Sequence, residues 1–135
     1  MARERECKPS TKSVIDKLGV KPGARVAVLG IDHAEFERDL MARTRDVSRG
    51  RPRKDLDLLF FAATDHARLR RLASLRNTIR PEGGIWVVWQ KGRSDLKEDD
   101  VREAALRVGL VDVKVVSFSE TLSALKLVIP VARRR

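Results

Sequence analysis

The chain alternates short, almost wholly apolar runs with amphipathic stretches of helical period. Arg25–Leu29 (RVAVL), Leu56–Ala62 (LDLLFFA) and Ile85–Gln90 (IWVVWQ) are the apolar runs. Runs this short and this uniform predict strands buried on both faces, as in a parallel sheet. Between them lie helical patterns with start and stop signals. Ser10 or Thr11 can cap a short helix carrying Val14, Ile15 and Leu18, stopped by Gly19. Asp32 can cap a helix from His33 to about Ala42, with Phe36 and Leu40 on one face. Thr64 or Asp65 can cap a third, whose stripe is Leu69, Leu72, Leu75 and Ile79 and which Arg80-Pro81-Glu82-Gly83-Gly84 breaks. A fourth starts near Asp99, carries Val101, Ala105 and Val108, and closes at Gly109.

The pattern changes at the end. Val111, Val113 and Val115 alternate with Asp112 and Lys114, as in a strand near a sheet edge with one wet face. Leu122–Val131 returns with Leu125, Leu127 and Ile129 on one side. No helix fits between these two strands, so they must form an antiparallel hairpin. Residues 43–55 hold Ser48, Gly50 and Pro52 among arginines and read as loop, with room for an edge strand near Thr44–Val47. The whole is α/β: a three-layer, Rossmann-like, mostly parallel sheet with helices on both faces, ending in a hairpin. The expected division is a disordered leader over 1–9, one domain over 10–131 and a basic tail over 132–135.

Composition narrows the setting. The 135 residues suit a single domain. No apolar run is long enough to span a bilayer. The polar start, MARERECKPSTKS, lacks the apolar segment of a signal peptide. The lone Cys7 cannot form an internal disulfide, so a reducing cytoplasm is the expected compartment. The net charge is +10, and arginine supplies 20 of the 29 basic residues. Arg43, Arg45, Arg49, Arg51, Arg53 and Lys54 fall within twelve positions and could neutralise phosphates, which makes nucleic acid a candidate partner. The alternative is a solvated arginine-rich surface. With six aromatics and no tyrosine, base stacking on a single strand is not expected.

Several motifs carry a family resemblance. They are Lys17-Leu18-Gly19-Val20-Lys21-Pro22-Gly23 before the first strand, Trp86-Val87-Val88-Trp89, Gly109-Leu110-Val111-Asp112-Val113-Lys114, and Glu120-Thr121 through Leu125-Lys126-Leu127. Together they resemble the bacterial domain of unknown function family 3052 over about residues 10–130. Gln90 and Leu122 depart from that family's proline and Thr-Trp. Ile79–Trp86 (IRPEGGIW) and the closing hairpin also resemble the second half of class I S-adenosylmethionine-dependent methyltransferases. The resemblance implies a reduced methyltransferase-type fold and no particular activity.

The chemistry of the expected cofactor site is then the question. A methyltransferase or dehydrogenase cradles its cofactor on a glycine-rich turn after the first strand, where missing Cβ atoms let the backbone approach the ligand. Here the turn reads Gly30-Ile31-Asp32-His33, with one glycine followed by a β-branched residue. The acidic residue that grips ribose after the second strand has no counterpart except Asp46, inside the arginine run. Neither S-adenosylmethionine nor a nicotinamide is therefore expected, and no cofactor is. No catalytic residue is assigned either: there is no nucleophile elbow, P-loop or C-x-x-C. Ser117, Ser119 and Thr121 read as turn formers.

The crevice candidates are Gly30, Asp32, His33, Thr64, Asp65 and His66. Asp32-His33 and Asp65-His66 stand at the carboxyl ends of strands expected to be neighbours, the edge where open α/β sheets bind ligands. They could hold a metal or act as an acid–base pair. The simpler expectation is that each Asp is an N-cap and each His an exposed first-turn residue, with no metal. The functions left standing are three: a non-catalytic domain binding a protein or small ligand, a nucleic-acid binder using the 43–54 loop, and a divergent methyltransferase. A space beside Gly30 filled by Ile31 and Phe36 would count against the last.

Overall fold

The computed structural model describes residues 14–51 and 53–131. The expected leader, its Ser10 or Thr11 cap, Pro52 and the tail from 132 lie outside the described residues. The elements are α1 (Val14–Lys17), β1 (Val26–Leu29), α2 (Ala34–Arg43), β2 (Val47–Arg49), β3 (Leu56–Ala62), α3 (His66–Leu69), α4 (Leu72–Leu75), β4 (Ile79–Gln90), α5 (Glu98–Arg107), β5 (Val111–Ser117) and β6 (Leu122–Val128).

The six strands form one sheet in the order β2-β1-β3-β4-β6-β5. The first four are parallel, and β6 runs antiparallel between β4 and β5. The uniformly apolar strands are explained by two cores. Along β1, Val26 and Val28 face one layer while Ala27 and Leu29 face the other. The same alternation divides Leu58 and Phe60 from Leu59 and Phe61, and Trp86 and Val88 from Ile85, Val87 and Trp89. The first layer is covered by α1 and α2, the second by α3, α4 and α5. Both tryptophans are core residues on opposite faces, and the buried Trp86 indole donates to the Leu18 carbonyl at 3.0 Å, tying α1 to the sheet.

Three local expectations need correction. The edge strand starts at Val47, not Thr44. Thr44 instead ends α2, with its N–H bonded to Leu40 and its buried hydroxyl donating to the Ala24 carbonyl at 2.6 Å. The third helix splits into α3 and α4, joined by bonds spanning three residues (Arg70 to Ala67, Arg71 to Arg68, Ala73 to Arg70). These are tighter 3₁₀-type turns. The Ser74 and Thr78 hydroxyls also bond the Arg71 and Leu75 carbonyls, competing with the backbone ladder. Ile79 accordingly leaves the helical stripe and opens β4, paired with Leu56.

The 80–84 stretch is not a plain break but an irregularity inside β4, where pairing jumps from Leu56↔Ile79 to Leu58↔Gly84. Glycine is obligatory there: a Cβ on Gly83 would stand 2.7 Å from the Leu56 carbonyl oxygen. The edge strand β5 carries a similar shift between Asp112 and Lys114, which leaves Val113 and Val115 exposed rather than lining the dry face.

Candidate functional site at the carboxyl edge

The carboxyl edge is built from the corners after β1 and β3, the end of β2 and the β5–β6 turn. β1 and β3 are neighbours, as expected. Gly30 leaves β1 with φ +78°, a conformation glycine adopts freely. A Cβ on it would meet Ala62 Cβ at 3.4 Å and the Arg68 guanidinium at 3.5 Å. Arg68 reaches this point from α3. Its Nε donates to the Ala62 carbonyl at 3.3 Å and its guanidinium lies 5.8 Å from the Phe61 ring centroid. Arg68 and Ala62 flank Gly30 at ordinary van der Waals distance from an added Cβ, and Gly30 itself is exposed; Ile31 and Phe36 turn toward the α1–α2 layer. No apolar pattern marks Arg68, so its role was not legible in the sequence.

The two Asp-His corners divide their work differently. In the first, His33 is the N-cap: its Nδ1 accepts the Phe36 N–H at 3.2 Å, which leaves the proton of the neutral ring on Nε2. The expectation that Asp32 caps is therefore corrected. Asp32 is exposed, one residue too early for its carboxylate to meet the first-turn donors. In the second, Asp65 is the N-cap as expected, accepting the Arg68 N–H at 2.9 Å. His66 bonds the Asp95 carbonyl at 2.8 Å through Nε2, which must carry the proton because a carbonyl only accepts. Thr64 is exposed, and its carbonyl accepts from Arg93 at 2.6 Å. His33 belongs to the α1–α2 face and His66 to the α5 face, so the corners do not converge. No group of three or more metal-ligating side chains occurs among the described residues.

A hollow of about 590 Å³ opens beside the first corner. Its floor is aromatic. Phe118 packs edge-on to His33 at 5.7 Å and lies 4.8 Å from Phe36, which in turn meets Phe60 at 5.1 Å. Such offset pairs are favoured by the ring quadrupoles. Val14 and Ile15 of α1 and the turn Ser119-Glu120-Thr121 form the walls. Ser119 shapes that turn as expected, its Oγ accepting the N–H groups of Thr121 and Leu122. Lys91 braces it through Ser117 Oγ and the Ser119 carbonyl. Three carboxylates, Glu35, Asp39 and Glu120, line the hollow, and none has a Lys or Arg partner among the described residues. Elsewhere the abundant arginines pair with most acids. Phe118 and Glu120 were missed as site residues because only the fold carries the distant turn to the first corner.

The arginine run is partly consumed by structure. Arg43 pairs with Asp16 and donates to the Val20 carbonyl, both at 2.7 Å. Arg49 pairs with Glu37 at 3.1 Å. Arg53 pairs with Asp46 at 2.7 Å, and with Arg25 it holds the Asp46 carboxyl below its ordinary range. Arg45, Arg51 and Lys54 have no carboxylate partner among the described residues. The residue ending β2, where a ribose-gripping carboxylate is required, is Arg49.

Solved structures with this architecture include several methyltransferases. The chain is similar to an S-adenosylmethionine-dependent methyltransferase from Aquifex aeolicus (TM-score 0.67, 14% identity, covering 87% of this chain and 88% of that one). It is also similar to a TehB-like S-adenosylmethionine-dependent methyltransferase from Corynebacterium glutamicum (0.55, 14%, 87% and 85%). A third is the magnesium protoporphyrin IX methyltransferase of Synechocystis (0.57, 9%, 86% and 78%). At such identities the likeness defines the fold, a methyltransferase-like Rossmann domain, and not the activity. No family model and no curated protein matches the chain. No described helix is long and apolar enough to cross a membrane.

Proposed function

We propose that this chain is a ligand-binding domain on a methyltransferase scaffold, taking a cationic, partly apolar small molecule in the hollow beside His33. The observation that carries this reading is the hollow itself: an aromatic floor of Phe36 and Phe118 beneath unpaired Glu35, Asp39 and Glu120. The carboxylates favour a molecule with a positive end, and the apolar part of the lining (Val14, Ile15, Phe36 and Phe118) favours an apolar body. A carboxylate-rich recess is unfavourable for an anion even in a chain of net charge +10. We place the protein in the cytoplasm and keep the resemblance to family 3052 as part of the same reading.

Amide chemical shifts with tryptamine and indole-3-propionate, near-isosteres of opposite charge, test it. Saturable shifts at His33, Phe36 and Glu120 are expected with tryptamine alone. Equal response to both compounds, or to neither, rejects the reading.

One observation favours a divergent methyltransferase as a second reading. Gly30 keeps its positive φ and is exposed at the end of β1 in a fold shared with methyltransferases. Arg68 would then border the bound cofactor. Nucleic-acid binding through Arg45, Arg51 and Lys54 is a third proposal, and its signature is an affinity that falls steeply with salt.

A further inference from the structure

The opposite edge of the sheet holds a second concavity, of about 400 Å³, between the α1–β1 turn and the amino ends of β3 and β4. Gly19, Lys21, Gly23, Gly84 and Lys126 contribute to its lining. Lys126 lies on β6 across from Trp86 on one side and Lys114 on the other. Its stem lies over Gly84: a Cβ there would stand 2.8 Å from Lys126 Cε, so the glycine makes room for the lysine. The ammonium is about half buried, and burial, together with Lys114 and Lys21, pushes its pKa down. Lys114 is anchored to the Lys17 carbonyl at 3.0 Å and offers no negative charge.

The acids lining the concavity are already engaged. Asp57 accepts from the Arg25 N–H at 2.9 Å and from Arg80 at 3.1 Å, and Glu82 pairs with Arg80 at 3.4 Å. Lys126 itself has no carboxylate or hydrogen-bond partner among the described residues. A half-buried cation facing two others is unfavourable in the free protein. An anion seated among them removes both the desolvation and the repulsion.

We propose that this concavity is a binding site for a phosphate group, held by Lys126 and Lys21, with Lys114 adding positive charge from the neighbouring strand. It is separate from the carboxyl-edge hollow and independent of the function proposed there. Lysine suits the role as a compact point charge with three donors.

Thermal denaturation tests it with inorganic phosphate, pyrophosphate and a short DNA duplex, each against chloride at matched ionic strength. Phosphate or pyrophosphate at about 10 mM should raise the Tm by about 2 °C or more over chloride. Lys126→Met, which keeps the apolar stem, should abolish the rise, and Lys21→Gln should reduce it. Either variant counts as folded if its far-ultraviolet spectrum matches the parent and it unfolds cooperatively in chloride at a Tm no lower than the parent's, and the milder Lys21→Gln keeps the test alive if Lys126→Met does not. A rise no larger than with chloride overturns the proposal, as does a full rise in a folded Lys126→Met. Response to the duplex alone, lost in Lys126→Met, overturns the small-phosphate reading in favour of a nucleic-acid backbone.

Discussion

The two Asp-His corners are the same dipeptide at equivalent places, after β1 and after β3, yet the histidine caps one helix and the aspartate the other. The difference lies in where each helix begins. α2 starts at Ala34, which makes His33 the preceding residue, whereas α3 starts at His66, which makes Asp65 the preceding one. That one-residue offset puts His33 against Phe118 and beside a hollow, while it puts His66 on the Asp95 carbonyl and under α5. A repeated motif at a sheet edge therefore defines a shared position but not a shared role. The second corner also sends Arg68 back across the sheet edge to the Ala62 carbonyl, beside Gly30.

The largest expected effect compares the cores beneath the corners. Phe36→Ala should destabilise the fold by about 3–5 kcal/mol and Leu69→Ala by about 2–5 kcal/mol in urea unfolding, since both side chains are buried. A loss below about 1 kcal/mol at either would show that its corner is not anchored by that residue. The capping comparison comes next. His33→Ala and Asp65→Ala should each cost about 1 kcal/mol, while Asp32→Ala should stay within about 0.5 kcal/mol. A larger loss at Asp32 than at His33 would reverse the assignment of the first cap.

The smallest effect is one of pH. Arg93 bonds the Asp95 carboxylate and holds its pKa below the ordinary 3.8. A depressed folded-state pKa contributes stability above the unfolded value, and that contribution fades as pH falls below about 3.8 and through the folded value. Acid unfolding of Arg93→Ala should therefore approach the parent curve at low pH. A gap that widens with acid would contradict this bracing of the second corner.

Much of the fold was legible because the signals were local. Uniformly apolar runs marked β1, β3 and the second half of β4, and the change to alternation at Val111 marked the hairpin. What failed also failed for local reasons. The Leu69–Ile79 stripe has helical spacing, but Ser74 and Thr78 bond the backbone and tighten the chain, so Ile79 is free to pair with Leu56. The Pro-Glu-Gly-Gly stretch reads as a breaker, and only the partner strand reveals that Gly83 sits against the Leu56 carbonyl.

The site was less legible than the fold. Loss of the glycine-rich cradle could be read from Gly30-Ile31-Asp32-His33 alone. The side chain that flanks Gly30, Arg68, sits 38 positions on, in a helix whose arginines look alike from the sequence. Phe118 and Glu120 likewise meet His33 only because β6 folds back between β4 and β5.

Gly30, flanked by Arg68 and Ala62, and the hollow at His33 are the two alternative ligand sites on this edge, and the proposed one is the hollow. Titration of the labelled protein with S-adenosylhomocysteine, followed by amide chemical shifts, tests it most directly. No saturable shift is expected at Gly30, Arg49 or Ala62 up to about 1 mM. Saturable shifts centred on those three residues would contradict it and establish the methyltransferase reading in its place.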